Sequence, residues 1–223
     1  MMNNSNFYNS IGYKILMSLS GIFLMLFLLQ HFVINFTSIF SEEIFNTISH
    51  FMGNNPIIQF ALQPVLISAV IFHFVMGLFL ELKNKKATQV SYVVNKGSKN
   101  SSWMSRNMII SGLVILAFLG LHFYDYWIPE INYKYIAVNE LDANRYFNEM
   151  THKFHNPFRV IIYVISFIFL SLHLLHGFKS SFQSLGISKK KITSLIEKAS
   201  TLFAISIPSG FIFIAIYHYI TQL

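Results

Sequence analysis

Nine histidines and no cysteine limit the chemistry open to this chain. Without cysteine it has no disulfide, no thiolate zinc site, no iron–sulfur ligation and no covalent c-type haem attachment. Metal chemistry falls to imidazole or carboxylate groups. His31, His73, His122, His173 and His176 interrupt long apolar runs, and His218 lies near the end of another. Histidine is costly in hydrocarbon and needs a partner. A single such imidazole is most simply a hydrogen bond to a neighbouring helix. That explanation is strained when four separate runs each carry one.

The elements that must position these rings follow from composition. Of 223 residues, 54% are hydrophobic, 17% aromatic and only 11% charged. That charged share is about half the usual share in a soluble domain, so a lipid-facing bundle is expected. Five apolar runs stand out, at 15–36, 57–82, 108–128, 158–178 and 199–220. Each is long enough to cross a hydrocarbon core of about 30 Å. Pro64 and Pro208 fall inside spans two and five, where membrane helices tolerate a kink. A short surface helix is expected at 139–151. No internal repeat or low-complexity tract is evident, and 1–223 reads as a single transmembrane domain. The first run reads as a retained helix and not as a cleaved signal.

The connections alternate in charge. Glu42 and Glu43 lie in the first, without Lys or Arg. The second holds Lys83, Lys85, Lys86, Lys96, Lys99 and Arg106, without acid. The fourth holds Lys179, Lys189, Lys190, Lys191 and Lys198 against a single Glu. The positive-inside rule puts these two basic connections and the N-terminus in the cytoplasm, and the C-terminus outside. The formal charge of +7 is thereby read as membrane orientation and not as nucleic-acid binding.

Direction converts position into depth. Spans one and three run outward, and His31 and His122 lie past their midpoints, in the outer half. Spans two and four run inward, and His73 and His173 lie in the inner half. The four sort into two pairs, separated by roughly 10–15 Å along the membrane normal. Two neutral imidazoles from facing helices can ligate one haem iron axially, so two pairs would stack two b haems across the bilayer. His173 and His176, three residues apart, are too close to serve two haems. One could ligate while the other meets a propionate, a quinone or a partner subunit.

Several fragments then resemble the single-chain, di-haem cytochrome b subunit of bacterial succinate:quinone oxidoreductases and fumarate reductases. They are Leu29-Gln30-His31-Phe32-Val33-Ile34-Asn35, Phe45-Asn46 with His50-Phe51-Met52, His73 with Gly77, and Leu121-His122. The last is Leu172-His173-Leu174-Leu175-His176-Gly177-Phe178, running on to Phe182-Gln183-Ser184-Leu185-Gly186. The resemblance covers nearly the whole chain. It implies a five-helix all-α bundle in the bacterial cytoplasmic membrane enclosing two haems b. His31 and His122 would ligate the outer haem, His73 and His173 the inner one. The family's ligand lies four residues before the glycine, which selects His173 over His176. Ser18 resembles a polar residue near the inner haem propionates. Arg106 is either a propionate partner or a plain inner-surface anchor.

The resemblance further implies a flavoprotein subunit and an iron–sulfur subunit on the cytoplasmic face, which interconvert succinate and fumarate. Electrons would pass through both haems to or from a membrane quinone, with menaquinone suggested by the di-haem form. Relatives that use a Glu in the first outer connection would place it near 51–53, where this chain has no carboxylate. His50, Glu42 and Glu43 are the candidates for the quinone site; His152 and His155 read as solvated loop residues. Two other readings compete. One is the cytochrome b anchor of a hydrogenase or formate dehydrogenase, which would give His218 a ligand role. The other is a small haem-free transporter with a histidine proton relay.

Overall fold

The computed structural model describes the backbone of residues 4–87, 107–187 and 190–223, and the side chains of 11–86, 107–187 and 192–223. Arg106, Lys96, Lys99 and Lys189 lie outside the described residues. Every regular element among the described residues is helical.

Helix α1 (Asn4–Thr37) is the first span. Ser41 then caps α2 (Glu42–Asn54), accepting the Ile44 amide at 3.2 Å, and Glu42 and Glu43 fill its first turn. An N-cap oxygen and early carboxylates satisfy free amides and the helix dipole. The second span, α3, opens as a π-helical turn (Ile58–Leu62) and continues as Gln63–Ala87. The wider turn immediately precedes Pro64, which has no amide proton to donate.

The third span, α4, runs as Met108–His122, a π segment Phe123–Trp127, a turn Ile128–Ile131 and a second π segment Asn132–Ile136. It is therefore longer than the 108–128 expected. Pro129 breaks the ordinary ladder, and the five-residue register on either side absorbs it. The surface helix is α5 (Arg145–Phe154), later than the expected 139–151. Val138 has φ 48°, the left-handed region, and the Asp142 carboxylate accepts the Asn144 amide at 2.9 Å. The segment 137–144 is irregular up to a turn at 143–144, and these local bonds delay the helix.

Asn156 caps α6 (Pro157–Ser184), accepting the amides of Phe158 and Arg159, with Pro157 in the first turn. Gly186, at φ 83°, ends that helix with its amide on the Gln183 carbonyl. Helix α7 (Lys190–Ile220) closes the bundle.

Five of these helices are long and apolar enough to cross a membrane. Helix α6 packs against α7, α4 and α1, and α1 also packs on α3. The largest core cluster includes Phe45, Met150, Phe154, Val160, Tyr163, Phe167, Ile207, Phe211 and Ile214. Leu26, Phe60 and Leu202 are 63%, 70% and 70% exposed, as lipid-facing positions require. Gly210 is needed where α7 crosses α1, because a Cβ there would run into the Phe32 ring.

The connection helices clamp one end of the bundle. Arg145 pairs with Glu130 at 2.7 Å and Glu149 at 2.6 Å, and lies 3.8 Å over the Tyr133 ring. Lys134 pairs with Glu130 and donates to the Gly53 carbonyl. Tyr146 donates to Glu130 at 2.9 Å, and burial together with that carboxylate pushes its phenol above the usual range. The Asn46 side chain accepts the Phe147 amide at 2.9 Å. Helices α2, α4 and α5 are thereby tied into one unit.

Candidate functional site: two pairs of facing histidines

The bundle brings four histidines together two by two. His31 from α1 and His122 from α4 lie 5.8 Å apart between ring centres, at 86°. His73 from α3 and His173 from α6 lie 6.4 Å apart, at 64°. Ser20 of α1 reaches the second pair, and His31 stands eleven residues further along the same helix. The two levels are therefore about 16 Å apart along α1.

A metal between two imidazole nitrogens, each bonded at about 2 Å, needs ring centres about 6 Å apart. Both pairs meet that requirement. Among the described residues there is no cluster of three or more His, Asp or Glu side chains able to hold a bare ion. Two nitrogens alone suit a metal that brings its other ligands with it, as haem iron does. All four rings keep intermediate accessibility inside the bundle.

Hydrogen bonding decides which ring nitrogen is free. Ser20 donates its hydroxyl proton to the Met17 carbonyl at 2.8 Å and lies 3.0 Å from His73 Nδ1. A hydroxyl has one proton, so that contact runs from His73 Nδ1–H to the serine oxygen. Ser111 repeats the arrangement, donating to Met108 at 2.9 Å and accepting from His173 Nδ1 at 3.2 Å. His73 and His173 are each held with the Nε2 lone pair unprotonated, the form a metal needs.

Beside His122 an acid–phenol pair replaces the serine. Tyr163 donates to Asp125 Oδ2 at 2.8 Å, and its oxygen lies 3.5 Å from His122 Nδ1. Arg159 holds the same carboxylate, its Nη1 2.9 Å from Oδ1 and 3.1 Å from Oδ2. His31 is packed by Phe27, stacked at 5.6 Å, and by the Asn35 amide, which donates to the His31 carbonyl at 2.8 Å. Phe118 packs on His122 at 5.7 Å.

The other residues singled out from sequence fall elsewhere. Ser18 is buried and donates to the Lys14 carbonyl at 2.8 Å, within its own helix. His176 lies one turn beyond His173 and joins neither ring pair. His218 is buried against Ser38 at 2.9 Å and Phe147 at 5.6 Å, and among the described residues its ring contacts are Phe147 and Tyr217. Glu42, Glu43 and His50 do come together: with Asn46, Thr47, Ala143 and Asn144 they line a cavity of ≈ 610 Å³. His50 bonds the Ala143 carbonyl at 3.1 Å there. His152 and His155 are exposed. Position 53, which lacks a carboxylate of its own, has one beside it: a Cβ on Gly53 would lie 3.2 Å from Glu130 Oε1.

Sequence reasoning missed Ser20, Ser111, Tyr163, Asp125 and Arg159 as partners of the histidines. A signal for the serines was present. Residues 20–32 and 111–123 both read Ser-Gly-x5-Phe-x3-His-Phe, so the chain does contain an internal repeat. Its parts have equivalent roles. Each serine meets a histidine of the His73–His173 pair, and each phenylalanine packs on the histidine four residues later. Each glycine lets its helix approach the same pair, since a Cβ would lie 3.4 Å from His73 at Gly21 and 3.8 Å from His173 at Gly112.

Five helices long and apolar enough to cross a membrane, with two imidazole pairs set between them, define a multi-pass integral membrane protein. The chain belongs to the succinate dehydrogenase/fumarate reductase transmembrane subunit family, whose pattern matches residues 82–219. It is also similar to the succinate dehydrogenase cytochrome b558 subunit of Bacillus subtilis (strain 168). The two are 26% identical over 204 residues, 90% of this chain and 89% of that protein. No solved structure matches the chain.

Proposed function

We propose that this chain is the di-haem cytochrome b anchor of a bacterial succinate dehydrogenase or fumarate reductase, in the cytoplasmic membrane with its N-terminus inside. The supporting observation is the pair of facing imidazole sets at two levels, each spaced for one axially held iron. His31 and His122 hold the outer haem b, and His73 and His173 the inner one. Bound there, haem supplies reversible one-electron transfer. The protein's own residues do the rest. Ser20 and Ser111 orient the inner imidazoles, and Phe27 and Phe118 exclude water from the outer ones.

The dicarboxylate chemistry belongs to the flavoprotein and iron–sulfur partners on the cytoplasmic face, docked through the basic inner connections. Quinone, read as menaquinone, exchanges electrons at the outer end. Glu42, Glu43 and His50 are the proton-handling groups proposed there, because one cavity gathers them. Ser18, Arg106 and His176 remain the proposed propionate or quinone contacts at the inner end. The hydrogenase-type alternative loses its motive, since the described ring contacts of His218 are with Phe147 and Tyr217 and not with a second imidazole.

The test is the haem content of the purified complex. A reduced b-type α-band, two haems b per chain and a flavin-containing partner active on succinate or fumarate are the expected results. A complex without b haem would remove this reading.

A further inference from the structure

The two histidine pairs differ in what stands behind them. The inner rings lean on neutral serine hydroxyls whose protons are spent on backbone carbonyls. The outer ring of His122 leans on Tyr163, which gives its proton to a carboxylate. Asp125 has 0% of its side chain exposed, within a membrane-spanning helix. A carboxylate in that position is expensive and needs a cation. Arg159, 25% exposed, supplies one. Only two helices build the whole chain of contacts. His122 and Asp125 are three residues apart on α4, and Arg159 and Tyr163 four apart on α6, so each couple shares a helix face.

We propose that Asp125 and Tyr163, held in place by Arg159, are positioning residues that set the tautomer and basicity of His122, and through it the electron affinity of the outer haem alone. The inference rests on the reading of His31 and His122 as an axial pair. Because the Tyr163 proton points to Asp125, the phenol oxygen can accept Nδ1–H with one lone pair, beside its contact with Tyr126. That acceptance makes the imidazole a stronger electron donor, which favours oxidised iron. The Asp125 charge acts in the same direction, and Arg159 opposes it. The inner pair has no charged group in this role among the described contacts of His73 and His173.

The arrangement predicts signs that packing alone would not. The experiment is a redox titration of the purified complex with its partner subunits, with the two haems distinguished by electron paramagnetic resonance. At the wild-type midpoint of the outer haem, Tyr163→Phe and Asp125→Asn are expected to raise its reduced-to-oxidised ratio by about three- to tenfold. A tenfold change corresponds to about 59 mV for one electron. Arg159→Gln should move the ratio the opposite way, and Asp125→Glu should restore it towards wild type. The inner haem should not respond to any of these, whereas Ser111→Ala should move the inner haem alone.

The proposal is overturned if Tyr163→Phe and Asp125→Asn keep the outer haem with an unchanged ratio, or if both haems shift together. It is equally overturned if Arg159→Gln and Asp125→Asn move the ratio the same way. Should Asp125→Asn fail to assemble, the near-isosteric Tyr163→Phe carries the test, and simple loss of the outer haem there would make the role structural. A wild-type complex lacking two b haems would instead defeat the axial-pair reading beneath the proposal.

Discussion

Ser111 on α4 and His173 on α6 meet at 3.2 Å, with the serine proton already committed to the Met108 carbonyl at 2.9 Å. The serine can then only accept, and the imidazole is fixed with Nδ1 protonated. Ser20 does the same for His73 at 3.0 Å. Outer-shell partners of this kind are worth about 10–100-fold in affinity at metal sites.

Ser20→Ala and Ser111→Ala should each weaken retention of the inner haem by about tenfold or more. Haem content after detergent washing, read from the reduced spectrum, checks this. The outer haem should be retained in both variants, and equal loss of the two would show general damage instead.

Removing a ligand should empty one level only. His31→Ala or His122→Ala is expected to halve the haem b content by loss of the outer haem, and His73→Ala or His173→Ala by loss of the inner one. Loss of the inner signal on replacing His122 would refute the pairing seen at 5.8 and 6.4 Å.

His176→Ala should leave both haems in place, because His176 belongs to neither ring pair. Pyridine haemochrome quantification gives the answer directly. A stoichiometry of one would make His176, and not His173, the ligand of α6.

Arg145 is 5% exposed and pairs with Glu130 and Glu149. Arg145→Ala leaves the Glu130 carboxylate, 16% exposed, with Lys134 and Tyr146 as its partners and should cost about 2 kcal/mol. Lys85 pairs with Glu81 at 67% and 37% exposure, so Lys85→Ala should cost less than about 1 kcal/mol. Thermal unfolding of the detergent-solubilised complex compares the two.

The extended α4 and the late start of α5 show where local reading stops. The apolar run at 108–128 ends at Pro129, and hydropathy has no means to signal a helix that continues by widening its register. The irregular segment 137–144 has Val138 in the left-handed region, an assignment that composition does not favour. Helix α2 was hidden because its thirteen residues are too few and too polar to read as a span; Phe45 and Asn46 face the bundle, while Ile44 and Phe51 are exposed.

Five spans and the order of the histidines along them were legible in the sequence, because hydropathy and rise per residue are local quantities. The repeated Ser-Gly-x5-Phe-x3-His-Phe was also legible, though its meaning required knowing what each serine touches. The partners of those histidines belong to the tertiary structure alone. Tyr163 reaches Asp125 across 38 positions, and His31 faces His122 across ninety-one. A hydrogen bond is decided by distances of tenths of an ångström between helices, and that geometry exists only once α4 and α6 have packed.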